Sequence, residues 1–363
     1  MKKILYLSYL RAVACISIII LHTVDVAVIL YQDQITNGER IASLSVVHCM
    51  MWAVPCFVMV TGTLLLNKNR TVTIKDVFRK YILRILIALI AFSLIFALFD
   101  MLMNKDGFGA AFLAKGFLNA LTGNGWAHMW YLYLLIGLYL LLIFYRAVAN
   151  HVSDSEYRFL LIVYAVFLSL LPLLNMWNAK VGFYIHVSTI YPFYLFAGYA
   201  IAESKLKIKK GISIILMLIG IIGIVGFTIL NAKDARISNG NLLGYSSIFV
   251  LLLAVGVFSF VKNFFGLTDV IEQKTVGAEE TGIPAPKKPG IIGKVFLEID
   301  RCSFGIYLIH MIFVRLVLRY WRLNPYTSNV TILVFAGLVL AILIVSYGIT
   351  ALLKLIPGVK KIL

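Results

Sequence analysis

Residues 6–30 read YLSYLRAVACISIIILHTVDVAVIL. About 20 predominantly apolar residues suffice to cross the hydrocarbon core of a bilayer as a helix, so this stretch is long enough to span. It nevertheless carries Arg11, His22 and Asp25 among apolar neighbours. Ionisable side chains are costly in hydrocarbon and mark functional sites by default. Their spacing adds to this. At 100° per residue, eleven residues return to nearly the same helix face, so His22 sits above Arg11 and about 16 Å further along the axis. Asp25 follows His22 at i+3, within side-chain reach on that face. One stripe thus holds a cation near one membrane surface and a histidine–carboxylate pair deeper in. A snorkelling arginine and a packed histidine are the bland alternative, which fits each residue singly better than it fits the trio.

Composition extends this reading to the whole chain. The protein has 363 residues, 61% of them hydrophobic and 13% charged, with a mean hydropathy of +0.95. That composition belongs to a polytopic membrane protein rather than a soluble domain around one core. The net charge of +17 would suit nucleic acid, but the basic residues fall in short clusters between apolar runs, as orientation signals do. No nucleic-acid partner is expected. The first apolar run is too long for a signal-peptide core and lacks a small-residue cleavage site, so it is expected to remain as a helix. The four cysteines (Cys15, Cys49, Cys56 and Cys302) lie in or beside apolar spans. They show no metal-ligand spacing and are read as small packing residues, without a disulfide.

Ten apolar spans are drawn at about 6–30, 44–66, 82–103, 129–145, 157–176, 187–203, 211–230, 242–262, 303–321 and 330–354. The sixth is short and contains Pro192. Clusters such as Lys68–Arg84, Lys205–Lys210 and Lys354–Lys361 alternate with poorly charged segments. Ten alternating spans place 24 of the 33 basic residues on one side. The positive-inside rule then predicts an all-α bundle with both termini in the cytoplasm. The only long hydrophilic stretch, 266–294, contains GAEETGIPAPKKPG and reads as a flexible cytoplasmic linker inside a single domain, 1–363.

Further polar groups collect on the side opposite the termini. They are His48 and Trp52, then Trp126, His128 and Trp130, then Trp177 and His186. Tryptophan at the interface is ordinary, yet aromatic faces with polar rims also suit sugar rings. Scattered histidines without cysteine or carboxylate spacing are poor evidence for a metal, and none is expected. The ninth span, SFGIYLIHMIFVRLVLRYWRL, holds His310 in its interior. Arg315, Arg319 and Arg322 follow on one face. Snorkelling explains the last two more readily than Arg315, and a cationic stripe there would grip an anionic or pyrophosphate-linked acceptor. On the cytoplasmic side, Arg79, Lys80 and Arg84 form either a topology signal or a phosphate clamp. No glycine-rich nucleotide loop followed by Lys and Ser/Thr is present.

The pattern of Arg, ten residues and His in LRAVACISIIILH resembles the first-helix signature of the family-three integral membrane acyltransferases. VPCFVMVTGTLLL, HMWYLYLLIGLYLL, YPFYLFAGYAIAE and SFGIYLIH match further stretches of that family in order and spacing. The resemblance implies a bacterial multi-pass enzyme of the cytoplasmic membrane. Its donor would be cytosolic acyl-coenzyme A, as acetyl-CoA, and its acceptor a hydroxyl of an extracytoplasmic glycan or lipid-linked saccharide. His22 matches the family's catalytic histidine and Arg11 its basic partner. The family's pair of arginines separated by two residues is met only in part: Arg84 fits the second position, but Tyr81 holds the first, beside Arg79 and Lys80. The expected site therefore has His22, Arg11 and Asp25 at the chemistry and Arg79, Lys80 and Arg84 on the donor. Trp126, His128, Trp130, His310 and Arg315 are expected on the acceptor. A neutral histidine near pH 7 suits removal of a hydroxyl proton, and Asp25 would orient the ring as the carboxylate of a triad does. The rivals are a secondary transporter, for which the intramembrane ions would line a path, and a non-enzymatic partner in polysaccharide export. Two matching halves with broken helices would favour the transporter, and none is visible.

Overall fold

The computed structural model describes residues 4–104, 110–173, 189–233, 243–275 and 290–363. Among these the chain is helical and contains no strand. The long helices are α1 (Leu5–Tyr31), α2 (Asn37–Met50), α3 (Ala53–Leu65), α4 (Leu83–Asn104), α5 (Ala110–Thr122), α6 (Trp130–Leu140) and α7 (Leu142–His151). They continue as α8 (Asp154–Ala165), α9 (Tyr191–Ala202), α10 (Lys210–Lys233), α11 (Ile248–Thr275), α12 (Ile291–Arg315) and α13 (Thr331–Leu353). Trp177 and His186 lie outside the described residues.

Among the described residues, eight apolar helical segments are long enough to cross a membrane, and a ninth arises if the pair Phe112–Leu140 and Leu142–His151, bent by 57°, counts as one span. The molecule is therefore a polytopic helical membrane bundle. Side chains such as Ile332, Leu333, Ile222 and Phe144 stand exposed on its outside, where lipid rather than water must cover them. The sixth expected span is α9. Its twelve residues rise only about 18 Å, short of the hydrocarbon thickness, and nearly all are buried against other helices.

That burial depends on two glycines. A Cβ on Gly62 of α3 would stand 1.8 Å from the Leu195 carbonyl oxygen, and one on Gly198 of α9 would stand 2.1 Å from that of Met59. The two backbones touch, so each crossing point accepts only hydrogen. Helix starts are fixed by side-chain caps where the chain leaves the bundle. Thr36 and Glu39 form a capping box ahead of α2, and Ser153 and Glu156 do so ahead of α8.

α1 is the hub. It packs against α2, α3, α11, α12 and α13. One of the two large apolar clusters joins it to α3, α9 and α11, and the other joins it to α4, α6 and α12. Two boundaries differ from the sequence reading. Helix α11 runs on to Thr275, into the stretch expected as linker, and residues 276–289 lie outside the described set. Helix α12 begins at Ile291, twelve residues before the drawn span, because IIGKVFLEIDR is amphipathic and its charged face was read as loop.

Candidate active site

The stripe on α1 faces α12. The Arg11 Nε donates to the Asp300 carboxylate at 2.7 Å. Asp300 is 1% exposed at its side chain and Arg11 30%. This ion pair forms one wall of a cavity of about 420 Å³. Arg84, Arg301, Tyr139 and Phe304 line it at the same end of the bundle, while Ile18, Tyr131 and Tyr307 line it further in. Arg84 stacks over Phe304 at 5.2 Å and donates to the carbonyls of Ile362 at 2.8 Å and Leu363 at 3.2 Å. Of the three cations expected on the donor, Arg84 alone lines this cavity. Arg79 and Lys80 lie exposed on the preceding π-helical turn, Val77–Ile82, and are not among its wall residues.

About three turns along α1 from Arg11, three histidines meet. The His22 ring lies 5.4 Å from that of His310 and 6.4 Å from that of His128, and the latter two are 5.6 Å apart. His310 is fully buried and His128 2% exposed; His22 is partly exposed. The His310 Nδ1 faces the carbonyls of Tyr307 at 2.7 Å and Ile306 at 3.1 Å. Carbonyl oxygens only accept, so Nδ1 carries the proton and Nε2 keeps its lone pair. Among the described residues that Nε2 has no hydrogen-bond partner, nor has either nitrogen of His128. Buried polar atoms are nearly always paired, so three unpaired imidazole nitrogens in one place indicate a site that is completed by something it binds. Among the described residues no group of three or more His, Cys, Asp or Glu is arranged to hold a metal.

A second cavity, of about 390 Å³, opens towards the far end of α4 and α12. Arg315 stands 3.8 Å from the centre of the Trp126 ring. Phe96 stacks on the same indole at 4.2 Å, and at these distances the two must lie on opposite faces. Trp126 therefore offers no free face to a sugar ring. Its indole N–H instead donates to Asp100 at 2.8 Å, and Arg315 approaches the other carboxylate oxygen at 3.4 Å. The tryptophan holds an ion pair in place. His128 touches the walls of both cavities, with its ring 5.7 Å from Tyr307 on the one side and 5.3 Å from Phe96 on the other.

The remaining expected residues disperse. Asp25 makes no hydrogen bond to His22 among the described residues; it lies within electrostatic reach of Tyr245. Trp130 packs against Tyr245 at 5.2 Å and Tyr191 at 5.8 Å, away from Arg315. Trp52 is buried, and His48 Nδ1 is bonded to Thr228 at 3.2 Å. Asp300 and Tyr307 were missed by sequence reasoning. The signal for Asp300 was a carboxylate a few residues ahead of SFGIYLIH on what proves to be the same helix.

A family model described as an acyltransferase domain matches residues 4–351. The chain belongs to that acyltransferase family. No curated protein and no solved structure matches it. The transporter and export-partner alternatives give way to an enzyme. In this membrane acyltransferase the arrangement suits general-base chemistry. It joins a histidine that has no carboxylate partner among the described residues, a lone-pair nitrogen on its neighbour, and two cavities whose walls flank the imidazole cluster through Tyr307 and Phe96.

Proposed function

We propose that the acyltransferase moves an acetyl group from cytosolic acetyl-coenzyme A to a hydroxyl of an extracytoplasmic glycan or lipid-linked saccharide, in the cytoplasmic membrane of a bacterium. The observation that carries this reading is the pair of cavities at opposite ends of the bundle whose walls, at Tyr307 and Phe96, are both in ring contact with His128. A donor from one side and an acceptor from the other must bring their reacting atoms together inside the protein. The basic clusters orient the Arg11 cavity towards the cytoplasm. There Arg84, bonded to backbone carbonyls, is among the described residues the lining cation free of a side-chain carboxylate for a phosphate of the donor, while Arg11 pairs with Asp300 and Arg301 with Glu298.

His22 acts as general base. The acceptor hydroxyl gives it a proton, the oxygen attacks the thioester carbonyl, and the departing thiolate takes the proton back. With no hydrogen bond from Asp25, the orientation of the ring falls to its packing against His310 and His128. General-base assistance contributes about 10²–10⁴-fold. His22→Ala should therefore lower transfer from labelled acetyl-coenzyme A in proteoliposomes by that order, with normal abundance and retained coenzyme A binding. Transfer at the parental rate would remove His22 from the mechanism. Loss of donor binding as well would make it structural.

A further inference from the structure

Among the described residues, the cavity at the far end of α4 and α12 carries more positive charge than its own carboxylate can neutralise. Three cations line it, Lys115, Arg315 and Arg319. Arg315 is taken by Asp100 and the face of Trp126. Arg319 and Lys115 pair with no carboxylate among the described residues. Arg319 leaves the helix on a π-helical turn, Leu316–Tyr320, a local distortion that often re-aims side chains at functional sites. Deeper in the same cavity lies Ser93, 5% exposed, whose hydroxyl is buried without a hydrogen-bond partner. A hollow with unneutralised cations at its rim and an unsatisfied hydroxyl in its wall lacks both an anion and a hydrogen-bonding group.

We infer that this cavity binds the acceptor through a negatively charged saccharide unit. A carboxylate or phosphate oxygen meets Arg319 and Lys115, and a sugar hydroxyl meets Ser93. Arg315, already neutralised, shapes the wall rather than supplying the charge. The inference rests on the proposed transfer reaction for its word acceptor, but the binding site stands on its own geometry. A phospholipid headgroup offers similar phosphate chemistry without the saccharide, and the experiment separates the two.

The purified full chain in phosphatidylcholine nanodiscs is titrated with octyl β-glucuronide and with octyl β-glucoside, which differ in the carboxylate. The glucuronide should bind about tenfold more tightly, the usual scale of one charge-assisted contact, and the preference should shrink as salt is raised. Arg319→Gln and Lys115→Gln should each bring the ratio towards one, while Arg319→Lys keeps most of it. Coenzyme A binding in the same samples reports that the variants are folded. Equal binding of the two glycosides, no binding of either, or a preference that survives both Gln variants would overturn the inference. Loss of glucuronide binding when phosphatidylglycerol is added would also overturn it and assign the site to lipid. Failure of the transfer reaction alone, with the glucuronide preference intact, would count against the proposed function and leave this site standing.

Discussion

At the scale of single residues, the Arg11–Asp300 pair decides how the cavity between α1 and α12 is held together. Asp300 is almost fully buried, so removing Arg11 strips a partner from a carboxylate that water cannot reach. Hydrogen bonds to charged groups contribute about 1.5–3 kcal/mol, and Arg11→Gln should lower the melting temperature of the detergent-solubilised protein accordingly. Arg11→Gln with Asp300→Asn should recover part of that loss, since the buried charge is gone as well. A double variant no more stable than the single one would show that Arg11 acts on the fold by another route. Asp25→Asn, by contrast, should leave transfer within a few-fold of the parent, because Asp25 has no bond to His22. Half of the α1 stripe was legible in the sequence. A regular helix fixes the angle between residues 11 and 22, but what each one meets across the interface depends on α12, and the charges of IDR looked like loop. The meeting of His22 with His128 and His310 left no local signal, because the three lie far apart in the chain and share no motif.

At the scale of elements, the crossing of α3 and α9 brings two helix backbones into direct contact. Gly62→Ala or Gly198→Ala would push a methyl group into a backbone carbonyl, which no rotamer change relieves. Overpacking typically costs about 1–3 kcal/mol, and the loss here should fall at or above the top of that range. It should appear as reduced yield of monodisperse protein and a lower melting temperature. Wild-type stability for both variants would mean that the helices separate at little cost. Span lengths were legible from hydropathy, and that signal fails at α9 for a physical reason. A helix enclosed by other helices need not match the thickness of the bilayer. The cations expected on the donor show the converse failure. Arg79, Lys80 and Arg84 are neighbours in sequence, but the π-helical turn between Val77 and Ile82 intervenes, and only Arg84 reaches the cavity wall.

At the scale of the whole molecule, Arg84 bonds the carbonyls near residue 362 and Lys354 bonds that of Arg301. The C-terminal segment thus lies at the same end of the bundle as Arg11. Reporter fusions at Gly38 and Pro286 should accordingly give opposite sides, with Pro286 inside; the same side for both would break the alternation of spans. The place of His128 between the two cavities carries a different consequence. A protein hollowed from both faces is a potential short circuit in an energised membrane. One elementary charge crossing 100 mV releases about 2.3 kcal/mol, a standing incentive for protons to leak through any thin place. The rings of Phe96, His128 and Tyr307 separate the two cavities and should therefore serve as electrical insulation. Tyr307→Ala liposomes should lose an imposed pH gradient faster than parental ones, whether or not any substrate is present.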